Sequence, residues 1–160
     1  MAGRDFIREL RSGEEEAIDR LLRAAFGGPD EAQLVKALRK TGAMAGEQVV
    51  TEGAKIVGYA ALSSMREPAG WLCLAPVAVL PERQRQGIGR RLTGMIAHWA
   101  QAAGQSVVVL GDPAFYGRCG FSSDAAKGLE TPYDLAHTLV AGPPATPGTR
   151  LVYPKAFGDA

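Results

Sequence analysis

The chain has 160 residues, 46% apolar and 22% charged, an ordinary globular usage that excludes a wholly disordered chain. Eighteen Lys and Arg against seventeen Asp and Glu leave a net charge of +1, which argues against a general nucleic-acid binder. No apolar run approaches the ~18 residues of a membrane helix, the start MAGRDFIREL is charged where a signal peptide would be apolar, and two cysteines, Cys73 and Cys119, are too few for a disulfide framework or a four-cysteine metal site. The expectation is one domain spanning 1–160, cytoplasmic, with reduced thiols and with no metal, nucleic-acid or membrane partner.

Phe6, Ile7 and Arg8 read as a short opening strand. Ser12 or Gly13 starts a helix with Glu14, Glu15 and Glu16 in its first turn, where the helix dipole favours acids. Its apolar positions Ala17, Ile18, Leu21, Leu22, Ala25 and Phe26 keep the ~3.6-residue period, and Gly27-Gly28-Pro29 ends it. Asp30 is placed to cap a second helix with the stripe Ala32, Leu34, Val35, Ala37 and Leu38, closed by Gly42. Gln48–Thr51 and Lys55–Ser63 read as strands joined by the turn Glu52-Gly53-Ala54. Trp71–Leu80 is nearly all apolar, as a strand covered on both faces would be. Pro76 lies inside it and cannot donate to a ladder, so the strand needs a bulge or a splayed edge there.

Ile88–Ala103 is the clearest helix, with Ile88, Leu92, Met95, Ile96, Trp99, Ala100 and Ala103 on one face and His98 at the surface. Ser106–Leu110 reads as a buried strand. Gly111-Asp112-Pro113 turns into a short helix bearing Phe115 and Tyr116. Tyr133–Val140 and Thr149–Tyr153 read as two late strands around a proline-rich loop. Hairpins combined with one βαβ crossover imply an α/β (α+β) fold: a mixed, mainly antiparallel central sheet packed by helices.

The chemistry concentrates between Pro76 and Phe121. Gln84-Arg85-Gln86-Gly87-Ile88-Gly89-Arg90 opens the clear helix, whose first N–H groups lack internal partners. Glycines there let a ligand approach the backbone, and the dipole favours an anion. With Arg83, Arg85, Arg90 and Arg91 around it, the loop suits a phosphate ligand; the alternative is a solvated basic turn. The loop lacks the Lys-Ser/Thr of a P-loop. It also sits too far past the preceding strand, and has Leu92 at the third glycine position, for a dinucleotide fingerprint.

Gln84-x-x-Gly87-x-Gly89 resembles the pyrophosphate loop of the GCN5-related N-acetyltransferases (GNAT). Phe115-Tyr116-Gly117-Arg118-Cys119-Gly120-Phe121 resembles that superfamily's Tyr-x-x-x-Gly-Phe segment. Leu110-Gly111-Asp112-Pro113-x-Phe115-Tyr116 is similar to a narrower bacterial branch of it, as are parts of the opening half and Val152-Tyr153-Pro154-x-Ala156-Phe157. The resemblance implies a splayed fourth and fifth strand pair and acetyl-coenzyme A as cosubstrate. By it, the backbone of Val77, Ala78 and Val79 would pair with the pantetheine arm, residues Gln84, Arg85, Gln86, Gly87, Ile88, Gly89 and Arg90 would hold the pyrophosphate, and Asp112 would lie by the arm or cap the short helix.

The activity implied is acetyl transfer to an unidentified amine by direct attack in a ternary complex. Tyr116 is the catalytic candidate, facing the thiolate leaving group; the alternative is a packed aromatic. Full proton transfer from a phenol to a thiolate would be uphill by roughly 2 kcal/mol, so a hydrogen bond that strengthens as sulfur gains charge is expected. Glu67, Asp112, Glu130 and His137 are candidates to help deprotonate the amine. Cys119 reads as a small packed residue. The acceptor walls are expected from Phe26–Leu38 and Gly128–Ala141, a longer acyl group is left open by Ala75, Ala78 and Ala114, and exposed edge strands are compatible with a homodimer. The competing function is a non-catalytic acyl-coenzyme A binding or sensing module on the same fold.

Overall fold

The computed structural model describes residues 5–158. Ten main elements follow in order: β1 (Asp5–Glu9), α1 (Glu15–Phe26), α2 (Asp30–Lys40), β2 (Met44–Glu52), β3 (Lys55–Ser64), β4 (Leu72–Val79), α3 (Ile88–Ala103), β5 (Val107–Leu110), α4 (Pro113–Cys119) and β6 (Thr138–Ala141). The strands form one sheet in sequence order. Every neighbouring pair is antiparallel except β4 and β5, which α3 joins in parallel. No described helix is long and apolar enough to cross a membrane.

Each helix obeys local rules. Gly27 takes the left-handed conformation at the end of α1, and Gly104 does the same for α3, the usual stop signal where a side chain would clash. Asp30 does not cap α2: Pro29 holds that position, and Asp30 is the first helical residue, with no side-chain cap bond. The β2–β3 turn follows the expected residues, with Glu52 opposite Lys55. β2 begins earlier than expected, at Met44.

Alternation along the strands sorts the core onto two faces. Val57, Ala60, Leu62 and Leu74 pack with Ile88, Leu92 and Ile96 of α3. Tyr59, Ala61 and Ala78 point the other way, onto Ile18, Leu22 and Val35 of α1 and α2. Cys73, Val108 and Val140 share that second face with Leu129, Leu151 and Tyr153. Leu92 is fully buried, so truncating it to alanine costs about 2–5 kcal/mol.

Three sequence expectations are corrected. Met95, Trp99 and Ala103 are exposed, while Thr93 and Ala97 are buried in their place. The buried face of α3 is turned towards α4, because the C-terminal end of α4 lies against Gly94 and Ala97. Phe26 is likewise exposed at the end of α1. The late segments give one strand, not two. Residues before Thr138 form a turn and a 3-10 helix over Leu135–His137, and Thr149–Tyr153 makes only isolated bridges, Glu130 with Arg150 and Glu67 with Val152. The prolines at 143, 144 and 147 break the pairing that a hairpin there would need.

Candidate active site

β4 and β5 pair only at Leu72–Val107 and Cys73–Val108. Beyond Cys73 the strands part, and the β5-facing edge of β4 has no ladder partner. Pro76 lies in that stretch. On the other edge, the register jumps from Ala60–Val77 to Leu62–Leu74, so Ala75 and Pro76 together face Ala61. Bulge and parting both occur where proline withholds its donor.

α3 begins just past the open end of β4. Gly58 makes this close docking possible: a Cβ there would meet Ile88 Cγ2 at 3.0 Å. The first backbone bond of α3 runs from the Arg91 amide to the Gly87 carbonyl, so the amides of Ile88, Gly89 and Arg90 precede the helical ladder. Arg85 and Gly87 both have positive φ, 65° and 81°, and such alternating backbone turns N–H groups towards one concavity. Gly87 serves that φ. Gly89 does not need to be glycine for the protein's sake, because a Cβ there would meet only Val79, at 3.6 Å. Glycine inside a helix costs up to ~1 kcal/mol, so the open space is consistent with room for a ligand.

A groove of about 320 Å³ runs from this helix mouth to Tyr116. Val77, Val79, Gln84, Arg85, Gly87, Ile88, Gly89, Arg90 and Tyr116 line it, together with Arg83 and Phe115. Three expected residues do not. Ala78 is buried on the α1–α2 face, and since the Leu80 amide bonds the Val57 carbonyl of β3, alternation turns the Ala78 backbone towards β3 and leaves that of Val77 and Val79 at the open edge. Gln86 donates to the Glu82 carbonyl at 3.4 Å. Asp112 caps α4, accepting from the Ala114 amide at 3.0 Å. Gln84 braces the loop by donating to the Val79 carbonyl at 3.0 Å. Arg83 is not free for an anion, since Glu52 pairs with it.

α4 carries Tyr116 into the groove. Its ring packs edge-on against Phe115 (centroids 5.0 Å apart) and Phe121 (5.9 Å). Gly111 closes the seat: a Cβ there would lie 2.4 Å from Tyr116 Cε2. The sequence marks Gly111 only as a turn residue; its contact with the ring needs the folded chain. The Tyr116 hydroxyl has no hydrogen-bond partner among the described residues. Burial raises its pKa above the ordinary phenol value, with lesser contributions from Cys119 and Cys73, so the O–H stays protonated and available as a donor.

Burial pushes the Cys73 thiol up to about 12. Burial also raises Cys119, against the lowering effect of Arg90 and Arg118. Neither thiol is an activated nucleophile. None of Glu67, Asp112, Glu130 and His137 lines the groove. His137 is exposed and paired with Asp134, Nδ1 to Oδ2 at 2.6 Å. Among the described residues no three His, Cys, Asp or Glu side chains converge as a metal site.

The acetyltransferase (GNAT) domain family model matches residues 45–123, a span that contains the whole groove. YhbS of Escherichia coli K12, described as an uncharacterized N-acetyltransferase, is 38% identical over 120 residues, 70% of each chain. The chain belongs to the GNAT acetyltransferase family. A second E. coli K12 relative, the uncharacterized N-acetyltransferase YjhQ, is 46% identical over 65 residues, 39% of this chain and 35% of its own. The crystal structure of E. coli YhbS in complex with CoA matches with a TM-score of 0.86 and 30% identity, covering 98% of this chain and 93% of that one. A Brucella melitensis GNAT acetyltransferase in complex with acetyl-CoA matches with a TM-score of 0.81 and 30% identity, covering 98% and 99%. The mixed sheet with its parted β4–β5 pair is therefore the GNAT fold.

Proposed function

We propose that this chain, acting as one catalytic domain, transfers the acetyl group of acetyl-CoA to an amine by direct attack in a ternary complex. One observation carries the reading. A single groove joins an unpaired helix mouth, an unpaired strand edge and a protonated phenol. The CoA and acetyl-CoA complexes of the two GNAT neighbours support the cosubstrate. Two buried free thiols suit a reducing compartment, and we assign the chain to the cytoplasm.

The amides of Ile88, Gly89 and Arg90 bind the pyrophosphate, aided by the helix dipole. Arg85 and Arg90 add positive charge beside it. The open β4 edge at Val77 and Val79 hydrogen-bonds the amides of the pantetheine arm, as a sheet edge binds an added strand. Acetyl-CoA supplies the thioester. An N–H near Val77 polarises its carbonyl oxygen, a preorganised donor worth roughly 3–4 kcal/mol. The amine nitrogen forms the new C–N bond as the C–S bond breaks. The Tyr116 hydroxyl donates to the departing sulfur. Its raised pKa widens the gap that already makes full proton transfer uphill, so Tyr116 acts through a hydrogen bond.

Turnover of acetyl-CoA with a panel of amines tests the reading. Transfer that falls about 10²-fold in kcat in Tyr116→Phe supports it. Tight acetyl-CoA binding with no transfer to any amine favours the non-catalytic sensor.

A further inference from the structure

A second cavity, of about 280 Å³, opens on the face of the sheet opposite α3. Its inner wall is aromatic: the Tyr133 and Tyr153 ring centroids lie 4.9 Å apart, at 74°. Its rim carries Arg66, Arg150 and Glu130. Among the described residues Arg8, Arg23, Arg39 and Arg83 are each paired with a carboxylate, while Arg11, Arg20, Arg85, Arg90 and Arg118 are not. Arg66 and Arg150 have no such pair among the described residues. Arg66 uses one nitrogen, Nε, to hold the Tyr153 carbonyl at 2.7 Å, and the rest of its guanidinium faces no protein acceptor. Two unpaired cations against one carboxylate make this rim positive in a chain of net charge +1.

The Tyr153 hydroxyl is buried, with Thr131 as its polar neighbour. The aromatic wall of the cavity packs against β4 where that strand leaves β5. Ala75, beside Pro76, packs against the same cluster as Tyr133 and Tyr153. Cys73, the last β4 residue paired to β5, belongs to the same cluster. Tyr116 packs with the cluster on the α3 side of the sheet and Tyr153 with the cluster on the opposite side.

We propose that this cavity holds the acceptor, and that the acceptor is an amino-acid-sized primary amine bearing an anionic group. The inference rests on the acetyl-transfer reading above. Arg66 and Arg150 grip the anion with charge-assisted bonds. The tyrosine rings hold the body of the molecule, and the Tyr153 hydroxyl aims the amine nitrogen at the parted strands. In the reaction served, one C–N bond forms, one C–S bond breaks, and one amine proton leaves to sulfur or solvent. Carboxylate and phosphate both match a guanidinium pair, so the class is set by the anion and the test separates its two sources.

The test compares phenylalanine, phenylalaninamide, phosphoethanolamine and spermidine as acceptors, following release of the coenzyme thiol. Phenylalanine should exceed its amide and spermidine in kcat/KM by about tenfold or more. Arg150 is exposed and makes no side-chain bond among the described residues, so Arg150→Gln and Arg150→Glu should fold. Both should bring the phenylalanine-to-amide ratio towards one, through KM. Phosphoethanolamine outrunning phenylalanine supports the proposal and assigns the anion to a phosphate. An amide or polyamine that serves equally well, or a preference that survives Arg150→Glu, overturns it. Calorimetric titration of N-acetylphenylalanine against its amide, with CoA present, reads the same cavity without turnover. Binding that depends on the carboxylate and is lost in Arg150→Glu supports the proposal, and no difference between the two ligands overturns it. Failure of acetyl-CoA itself to stabilise the protein sinks the acetyl-transfer reading instead, whatever the titration gives.

Discussion

Gly111→Ala isolates the placement of Tyr116 from its chemistry. Gly111 has an ordinary negative-side backbone conformation, absent from the positive-φ residues, so alanine meets no backbone objection. Its methyl would lie 2.4 Å from Tyr116 Cε2 and 3.1 Å from Cδ2, against ~3.5–4.0 Å for comfortable carbon contact. The ring must therefore retreat by about 1 Å, while Phe115 and Phe121 bracket it edge-on. Overpacking of this kind costs about 1–3 kcal/mol of stability. A 1 Å misplacement at a reacting centre costs about 10²-fold in rate. The expectation is a kcat about 10² below wild type, similar to Tyr116→Phe, with the KM for acetyl-CoA changed less than about threefold. Steady-state thiol release gives kcat, and chemical denaturation gives the stability cost. A Gly111→Ala enzyme with wild-type kcat would refute the idea that this seat sets the phenol's working position. Loss of acetyl-CoA binding at equal kcat would show that the ring serves the cosubstrate and not the leaving group.

Gly89→Ala should leave the fold intact or stabilise it by up to ~1 kcal/mol, since alanine favours the helix and only Val79 is near. The same change should weaken acetyl-CoA binding at least about tenfold if the methyl intrudes on the pyrophosphate; thermal unfolding with and without ligand reads both effects. Gly87→Ala should lose about 1–2 kcal/mol, because its φ of 81° is left-handed, with coenzyme affinity falling as the amides turn away. Tyr59→Phe removes a 2.6 Å bond to Glu47 Oε1, which Arg39 also holds at 2.7 Å, and should cost about 1.5–3 kcal/mol in urea unfolding. Glu14 grips Arg8 at 2.9 and 2.7 Å and the Arg11 amide at 2.7 Å, and the Arg8 bond, first, then the Arg11 amide lower its pKa to about 2. A carboxylate lowered on folding contributes stability above its unfolded pKa of ~4.3 and loses it as pH falls towards about 2. Glu14→Gln should therefore be less stable than wild type at pH 7, by no more than about 1 kcal/mol at this partly exposed site, with the difference closing as pH falls through about 2.

The residues between Gln84 and Phe121 were legible because their chemistry is local. Gly87 and Gly89 at a helix start, and the tyrosine in its short helix, are defined by neighbours a few positions away. The limits of α3 at Ile88 and Ala103 and the β2–β3 turn follow from periodicity and turn residues in the same way. What periodicity cannot supply is the identity of the partner. It put Met95 and Trp99 inside, because it cannot tell which side α4 will cover. It counted Arg83 with the phosphate site, because Glu52 is brought to it only by the hairpin and the turn after β4. It made strands of Tyr133–Val140 and Thr149–Tyr153, because β-branched and aromatic residues look alike whether they enter a ladder or pave a cavity. The amino-acid order by itself determined the helices, the glycine loop and the phenol. Tertiary structure decided that β4 and β5 part after Cys73, that Gly111 seats Tyr116, and that Arg66 and Arg150 line one cavity. Local preferences act through near neighbours and survive in any context, whereas strand parting, close approach and shared cavities exist only once distant segments exclude water together.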